Sequence, residues 1–337
     1  MAVLLKDLAE KANASITTVS LVLNNKPVRV SKKKREKILR LAEEMQYKPN
    51  RMAQSLITKR TMTIGLIVPD VCNLFFAELV RNIGNILREH DYSLLLCNTN
   101  NIENEDIYQM NLLRSTNVDG IFVILNSTDS EKYIETINKI NEDNIPLVVM
   151  DRAVKSVNVP FVGVDDKEGG FLATKYLLEC NHKHIACITG PMYSMSSNNR
   201  FKGYCKALKE AGIPFREEYV FQGNFEFESG ENCAEEILKN PDITAVFAEN
   251  DMMALGLYRG VAALGKKVGD DISIIGFDDI VFASMVEVPL TTMNQNINAV
   301  AKNATNILLS MINKEKIENE KVLSVPELVV RKSVKIL

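Results

Sequence analysis

Eleven residues fall where short apolar runs of this 337-residue chain end. They are Asn73, Phe75 and Phe76 after TIGLIVPD, Asn126 after GIFVIL, Asp151 and Arg152 at the end of PLVVMD, Arg200 after HIACITG, Asn250 closing AVFAEN, Phe277 and Asp278 closing ISIIGFD, and Gln295 in TTMNQ. Flat aromatic faces cover the C–H faces of a saturated ring, while carboxylate, guanidinium and amide groups make strong hydrogen bonds to hydroxyls. Taken singly, each residue is equally well explained as a helix cap or a loop contact. Taken together, they predict a binding site for a small polyhydroxylated ring.

Catalytic constellations are weak by comparison. No GxGxxG, no GxxxxGK followed by Ser or Thr, and no GxSxG occurs. Asp165, Asp166, Asp278 and Asp279 sit at strand ends, where Asp commonly caps the next helix, and the three histidines lie outside the eleven-residue set. The segment CNHKHIAC places Cys180, His182, His184 and Cys187 close together, yet a helix end running into a strand alternates their side-chain directions. We therefore expect no enzyme activity, no cofactor and no metal. The six cysteines are scattered without a CxxC pair, which suits reduced thiols. No apolar run approaches the length of about 18 residues that a membrane span needs, and MAVLLKDLAE reaches Asp7 too early for a secretory segment. A cytoplasmic protein is expected.

The elements that must position the eleven residues alternate in type. TIGLIVPD, SLLLCNT, GIFVIL and PLVVMD are strands interleaved with helices around 75–90, 103–116 and 130–143. A second series, FVGVDD, HIACITG, YVFQGN, AVFAEN and ISIIGFD, alternates with helices starting near Lys167, Arg200, Phe227 and Asp251. Continuous apolar strands separated by helices predict parallel sheets covered on both faces, and ligands of such sheets sit beyond the carboxyl ends of the strands.

The first sixty residues differ in charge and pattern. They carry a net charge of +9 and the remainder −12, against −3 for the whole. A basic module on an acidic body points to a polyanionic partner. Leu5, Leu8, Ala9 and Ala12 share one helical face, Asn13-Ala14 breaks the helix, and Ser15 stands at the N-cap of a second helix with Val19, Val22 and Leu23 inward. Two short helices joined by a tight turn form a helix-turn-helix, whose second helix enters the DNA major groove. Ser15, Thr17, Thr18 and Ser20 place hydroxyls where phosphates and base edges would lie. Ser31 caps a third helix that packs back through Ile38, Leu39, Leu41 and Ala42, and Lys32, Lys33 and Lys34 oppose its macrodipole unless an anion is near. Pro49 stops that helix; Asn50 can cap one more short helix ending near Leu56, too short to stand alone.

KDLAEKANASITTVSLVLN, VSKKKREKI and YKPNRMAQSL resemble the DNA-binding domain and hinge helix of the lactose/galactose repressor (LacI/GalR) family, and the body extends the likeness over nearly the whole chain. The resemblance implies an α/β protein with these parts: a helix-turn-helix domain (1–47), a hinge helix and linker (48–60), and a periplasmic-binding-protein-like body of two doubly wound subdomains (61–160 with about 292–320, and 161–291 with about 321–337). It implies base reading by Ile16, Thr17 and Leu21, backbone contacts that include Lys32 and Asn50, and a minor-groove wedge at Leu56. Leu4, where the family usually has a capping Thr, and Leu21, where a longer polar reader is common, depart from the pattern.

The eleven residues resemble the ribose pocket of the same superfamily, in which two Phe rings sandwich the sugar. ACITGP, GNFEFESG, SIIGFDDI and PLTT are similar to the family's ribose-responsive repressors. The implied function is a repressor released from a near-palindromic operator by a sugar inducer, most simply ribose. A homodimer is expected because PELVVRKSVKIL shows no further heptad-bearing helix. An alternative within the family is a corepressor, such as a purine, that promotes DNA binding; the Asp151-Arg152 pair and the Asn/Gln set argue for hydroxyls over a planar base. A phosphocarrier protein serves as corepressor in one branch. A sugar-processing enzyme with a DNA-binding tail is the distant alternative.

Overall fold

The computed structural model describes residues 3–23, 27–47, 60–126, 130–152 and 157–337. The chain divides into two compact units, Met1–Thr61 and Met62–Leu337. The expected hinge helix, with Asn50 and Leu56, lies outside the described residues.

In the first unit, α1 (Leu5–Ala12), α2 (Ile16–Leu23) and α3 (Lys32–Glu44) enclose Leu8, Ala9, Ala12, Val19, Val22 and Ile38. Asn13 takes the left-handed conformation at φ 50°, which Asn tolerates well, and this turns the chain from α1 into α2. The Ser15 Oγ accepts from the Thr18 N–H at 3.1 Å and the Ser31 Oγ from the Lys34 N–H at 3.3 Å, as N-caps should. Leu4 offers no side-chain cap, and the α1 terminus is held instead by the Asp7 carboxylate, which accepts from the Leu4 N–H at 2.9 Å. One expectation fails: Leu39 is 46% exposed, because on α3 the inward stripe runs through Ile38, Leu41 and Ala42.

The second unit contains two parallel sheets. The six-stranded sheet has the order β11-β5-β4-β3-β1-β2, from β1 (Thr63–Val68), β2 (Ser93–Asn98), β3 (Gly120–Val123), β4 (Leu147–Met150), β5 (Phe161–Val164) and β11 (Lys321–Ser324). Alternation along β1 sends Ile64, Leu66 and Val68 into one core and Ile67 into the other. The first core is covered by α4 (Leu74–Glu89) and α11 (Ile297–Asn313), the second by α5 (Glu103–Ser115) and α6 (Glu131–Glu142). The four-stranded sheet, β7-β6-β8-β9, uses β6 (Ile185–Thr189), β7 (Val220–Gln222), β8 (Ala245–Ala248) and β9 (Ser273–Ile275). It lies between α7 (Asp166–Glu179) with α8 (Met195–Glu210) on one face and α9 (Phe227–Lys239) with α10 (Asp251–Ala263) on the other.

All nine strands read from the sequence form, but their grouping differs. FVGVDD does not open the second sheet: β5 pairs with β4 in the first, Val149 opposite Phe161. The chain therefore crosses to the second sheet at Asp165. Residues 321–324 also join the first sheet, pairing with β5, although 321–337 was expected in the second subdomain. Three short strands were missed. Of these, β10 (Thr292–Asn294) and β12 (Glu327–Val329) pair antiparallel, and β11 is an edge strand with alternating burial. Short or half-exposed strands leave little apolar signal. The helix expected to begin near Arg200 begins at Met195, so Arg200 sits in its second turn.

Close packing of α7 on α8 places Arg200. A methyl group on Gly170 would lie 2.2 Å from the Arg200 carbonyl oxygen, and one on Gly203 2.2 Å from that of Lys167. Glycine at both crossing points lets the two backbones touch. Gly170→Ala is expected to lower stability by about 1–3 kcal/mol, the range of overpacking, despite Ala's better helix propensity. Urea unfolding at constant pH checks this; an unchanged midpoint would show that the helices can separate freely.

Candidate functional site

A cavity of about 210 Å³ lies at the carboxyl ends of the strands of both sheets. Ten of the eleven expected residues line it: Asn73, Phe75, Phe76, Asn126, Asp151, Arg152, Arg200, Asn250, Asp278 and Gln295. Phe277 does not. Its ring is fully buried beneath the Arg200 guanidinium, 3.8 Å from the ring centroid, and packs against Gly169. A residue expected to touch the ligand instead supports one that lines the cavity: beyond β9 the chain turns Phe277 into the core beside Ile275 and Asp278 into the cavity.

Arg200 is the most connected group. Its Nε donates to Asp166 Oδ1 at 2.8 Å and its Nη1 to the Glu249 carbonyl at 2.6 Å, while Asp278 Oδ1 lies 3.8 Å from Nη1. The Gln295 side-chain N–H donates to that same Asp278 oxygen at 2.6 Å. Gln295 Oε1 is buried without a partner, and its residue is 1% exposed. A buried acceptor left open in a cavity is a place for a ligand donor. On the opposite wall, Arg152 Nη1 donates to the carbonyls of Leu125 and Asn126 at 3.2 and 3.4 Å, and its Nε faces Asp151 at 3.6 Å.

Two members also act as helix caps. Asn73 accepts from the Phe75 N–H at 3.0 Å at the start of α4. Asn250 accepts from Met253 N–H at the start of α10 and donates to the Phe225 carbonyl, both at 2.9 Å. Capping and lining are compatible here, since a helix that follows a strand begins at the strand's carboxyl end.

Sequence reasoning missed Asp70, Asn101, Tyr193, Ser194, Ser196, Asn224, Phe225 and Glu226, which also line the cavity. All follow strands β1, β2, β6 or β7, so the carboxyl-end rule applied to every strand would have found them. Phe225 changes the chemistry most. Held at φ 71°, a costly conformation for an aromatic residue, it lines the cavity from the second half of the body with its ring against Gly190, while Phe75 and Phe76 line it from the first.

Acidic groups dominate the electrostatics. Burial pushes Asp278 up to about 7 and Asp166 up to about 6, with Arg200 pulling both the other way. Burial raises Glu249 to about 8, although the Ser197 hydroxyl and the Gly190 N–H, the latter at 2.7 Å, both donate to it. Burial also lowers Arg152, opposed by Asp151.

On the first unit, Ile16 is 48% exposed and Thr17 is exposed, whereas Thr18, Ser20 and Leu21 are half-buried. Thr18 is engaged in the cap, its hydroxyl 2.8 Å from that of Ser15. Lys32 is exposed, and Lys34 Nζ donates to the Asn13 carbonyl at 2.8 Å. Lys6, Ser15, Ile16 and Lys34 share one shallow cleft; Lys6 was not among the residues expected near an anion. The metal-like segment resolves otherwise. His182 is fully buried with its ring nitrogens on Thr244 Oγ1 at 2.9 Å and the Lys335 carbonyl at 3.0 Å, and Cys187 lies in the core of the second sheet.

Raised acid pKa values imply a pH dependence of stability. A carboxyl that keeps its proton longer in the folded state stabilises that state below its unfolded pKa, and the contribution is lost as pH rises through the folded value. For Asp166, Asp278 and Glu249 that window runs from about pH 4 to 8. Stability is expected to fall across it, and Glu249→Gln, neutral at every pH, to flatten the decline. Chemical denaturation at pH 5.5 and 8 checks this; equal slopes in the two proteins would place the proton elsewhere.

Family profiles match two stretches of the chain. Residues 4–50 match bacterial regulatory proteins of the lacI family, and residues 61–332 match the periplasmic binding proteins and sugar binding domain of the LacI family. The HTH-type transcriptional repressor PurR of Vibrio vulnificus (strain CMCP6) is 38% identical over 333 residues, 98% of each chain. A lac repressor dimer bound to operator and the anti-inducer ONPF superposes with a TM-score of 0.89 at 26% identity, covering 99% of this chain and 100% of that one. A LacI family regulator from Enterococcus faecium with bound ribose gives a TM-score of 0.74 at 30% identity over 82% of this chain and 99% of its own. These relatives do not support the narrower likeness to a ribose operon repressor. The helix-turn-helix unit, the two-sheet body and both profile matches agree: the chain belongs to the LacI family of DNA-binding transcriptional regulators.

Proposed function

We propose that this regulator is a cytoplasmic repressor whose operator affinity is set by a small ring compound held in the 210 Å³ cavity. The observation that carries the reading is the lining: aromatic faces from both halves of the body surround buried, partly unpaired polar groups at the strand ends. Such a site suits a compact ligand with a flat face and a polar edge. A homodimer would present two helix-turn-helix units to the half-sites of a near-palindrome. Ile16, Thr17 and Leu21 would reach base edges, Ser15, Thr18, Ser20, Lys32 and Asn50 the backbone, and Leu56 the central minor groove.

For the effector class, a purine base acting as corepressor has the support of likeness, since PurR repressors share 38% identity over nearly the full chain. Phe225 adds to it, because a third aromatic residue in the lining suits a planar heterocycle as well as a sugar. In this reading the ligand stabilises the arrangement in which operator is bound. A ligand shifts such an equilibrium only through its preference for one state.

Ribose as inducer is the second reading. Asp151, Asp278, Arg152 and Arg200 are suited to hydroxyls, and the ribose-bound Enterococcus faecium regulator shares the fold at 30% identity. The two readings differ in ligand and in sign.

Thermal unfolding with hypoxanthine, guanine and ribose separates them, since a native-state ligand at 100 times its Kd adds about 2.7 kcal/mol. A purine shift accompanied by tighter operator binding is the expected result. A ribose shift accompanied by weaker binding establishes the second reading, and no shift with any of the three sinks the cavity as an effector site. Operator affinity is also expected to fall linearly in log–log form with salt, as phosphate neutralisation by the +9 unit requires. A flat dependence would contradict backbone contacts.

A further inference from the structure

Asp106 is a fully buried carboxylate on α5 that does not line the cavity. Its Oδ2 accepts from the Asn126 backbone N–H at 3.1 Å and from the Tyr133 hydroxyl. The other side of the same stretch of chain is gripped by Arg152, which donates to the Leu125 and Asn126 carbonyls. Asn126 is thus clamped through its N–H by an anion and through its C=O by a cation. Its side chain, 8% exposed, reaches the cavity edge and donates to the Asn101 carbonyl, and Asn101 lines the same cavity.

We propose that Asp106 is a positioning residue for the effector pocket: it fixes the Asn126 peptide and thereby aims the Asn126 amide and the Arg152 guanidinium into the cavity. Three features argue for it over a merely structural acid. A carboxylate taken fully out of water is costly unless hydrogen bonds and charge compensate: burial raises Asp106, while hydrogen bonds from Thr99, Tyr133 and the Asn126 N–H, and last the charge of Arg152, pull it back. The carboxylate stands on α5 and its hydrogen-bond partners come from α6 and the end of β3, so one buried group ties three elements together. Both pocket residues it controls sit on short segments after strands, where local structure alone leaves the side-chain direction free.

The inference deepens the pocket reading above, and its ligand arm rests on that reading. Asp106→Ala removes the acceptor; Asp106→Asn keeps an oxygen where Oδ2 sits. Hydrogen exchange needs no ligand. Exchange at the Asn126 amide is expected to quicken at least tenfold in Asp106→Ala and return to within threefold of the parent in Asp106→Asn, with β6 of the other sheet unchanged in both. With hypoxanthine or ribose, whichever shifts the parent, Kd should weaken at least tenfold in Asp106→Ala and recover in Asp106→Asn. Should the Ala variant fail to fold, Asp106→Ser, too short to reach Asn126, replaces it. Parent-like exchange at Asn126 in Asp106→Ala overturns the proposal, as does faster exchange there with Kd unchanged. If the parent binds neither compound while Asn126 still opens, the effector reading fails and the clamp on Asn126 stands.

Discussion

A guanidinium held out of water organises the effector body. Arg200 is 4% exposed, and such a charge is tolerated only when its donors are matched and opposite charge is near. Asp166, Asp278 and the Glu249 carbonyl provide that match, and the Phe277 ring closes the remaining face. These partners come from the start of α7, the end of β9 and the end of β8. One side chain therefore fixes how three strand ends meet. The Gly170 and Gly203 contact serves the same end, because α7 and α8 must lie backbone to backbone for Arg200 to reach Asp166.

The second constraint is the return of the chain between sheets. β10 runs antiparallel to β12, and Asp279 accepts from Asn294 at 2.7 Å and from Arg331 at 2.6 Å. Asp278 and Asp279 both adopt positive φ, 125° and 58°, a conformation kept only where surrounding contacts enforce it. Asp278 faces Arg200 and Gln295 in the cavity, while its neighbour anchors the crossover. A ligand that alters the Asp278–Gln295 contact acts directly on the segment that passes between the sheets.

Acidic excess inside the body and basic excess in the first sixty residues divide the labour by charge. The first unit gains affinity for a polyanion from its +9. In the body a small set of charges, among them Asp166, Arg200 and Asp278, is buried and paired, where it gives direction to hydrogen bonds instead of long-range attraction.

Much of this was legible in the chain itself. Apolar periodicity gave the helices of the first unit, their caps at Ser15 and Ser31, and nine strands, because burial patterns are local and repeat with the period of the element. The carboxyl-end rule gave ten cavity residues without any contact information. Tertiary structure decided the rest. Which sheet β5 joins depends on a pairing partner far along the chain, and no local pattern in FVGVDD specifies it. Whether Phe277 faces ligand or core depends on what lies beneath the strand, and the guanidinium over its ring answers that. Phe225 reached the cavity through an uncommon backbone turn, and Asp106 acquired its place only when α5, α6 and the end of β3 converged. Periodicity is a property of neighbours in sequence; the direction of a polar side chain at a strand end is set by neighbours in space.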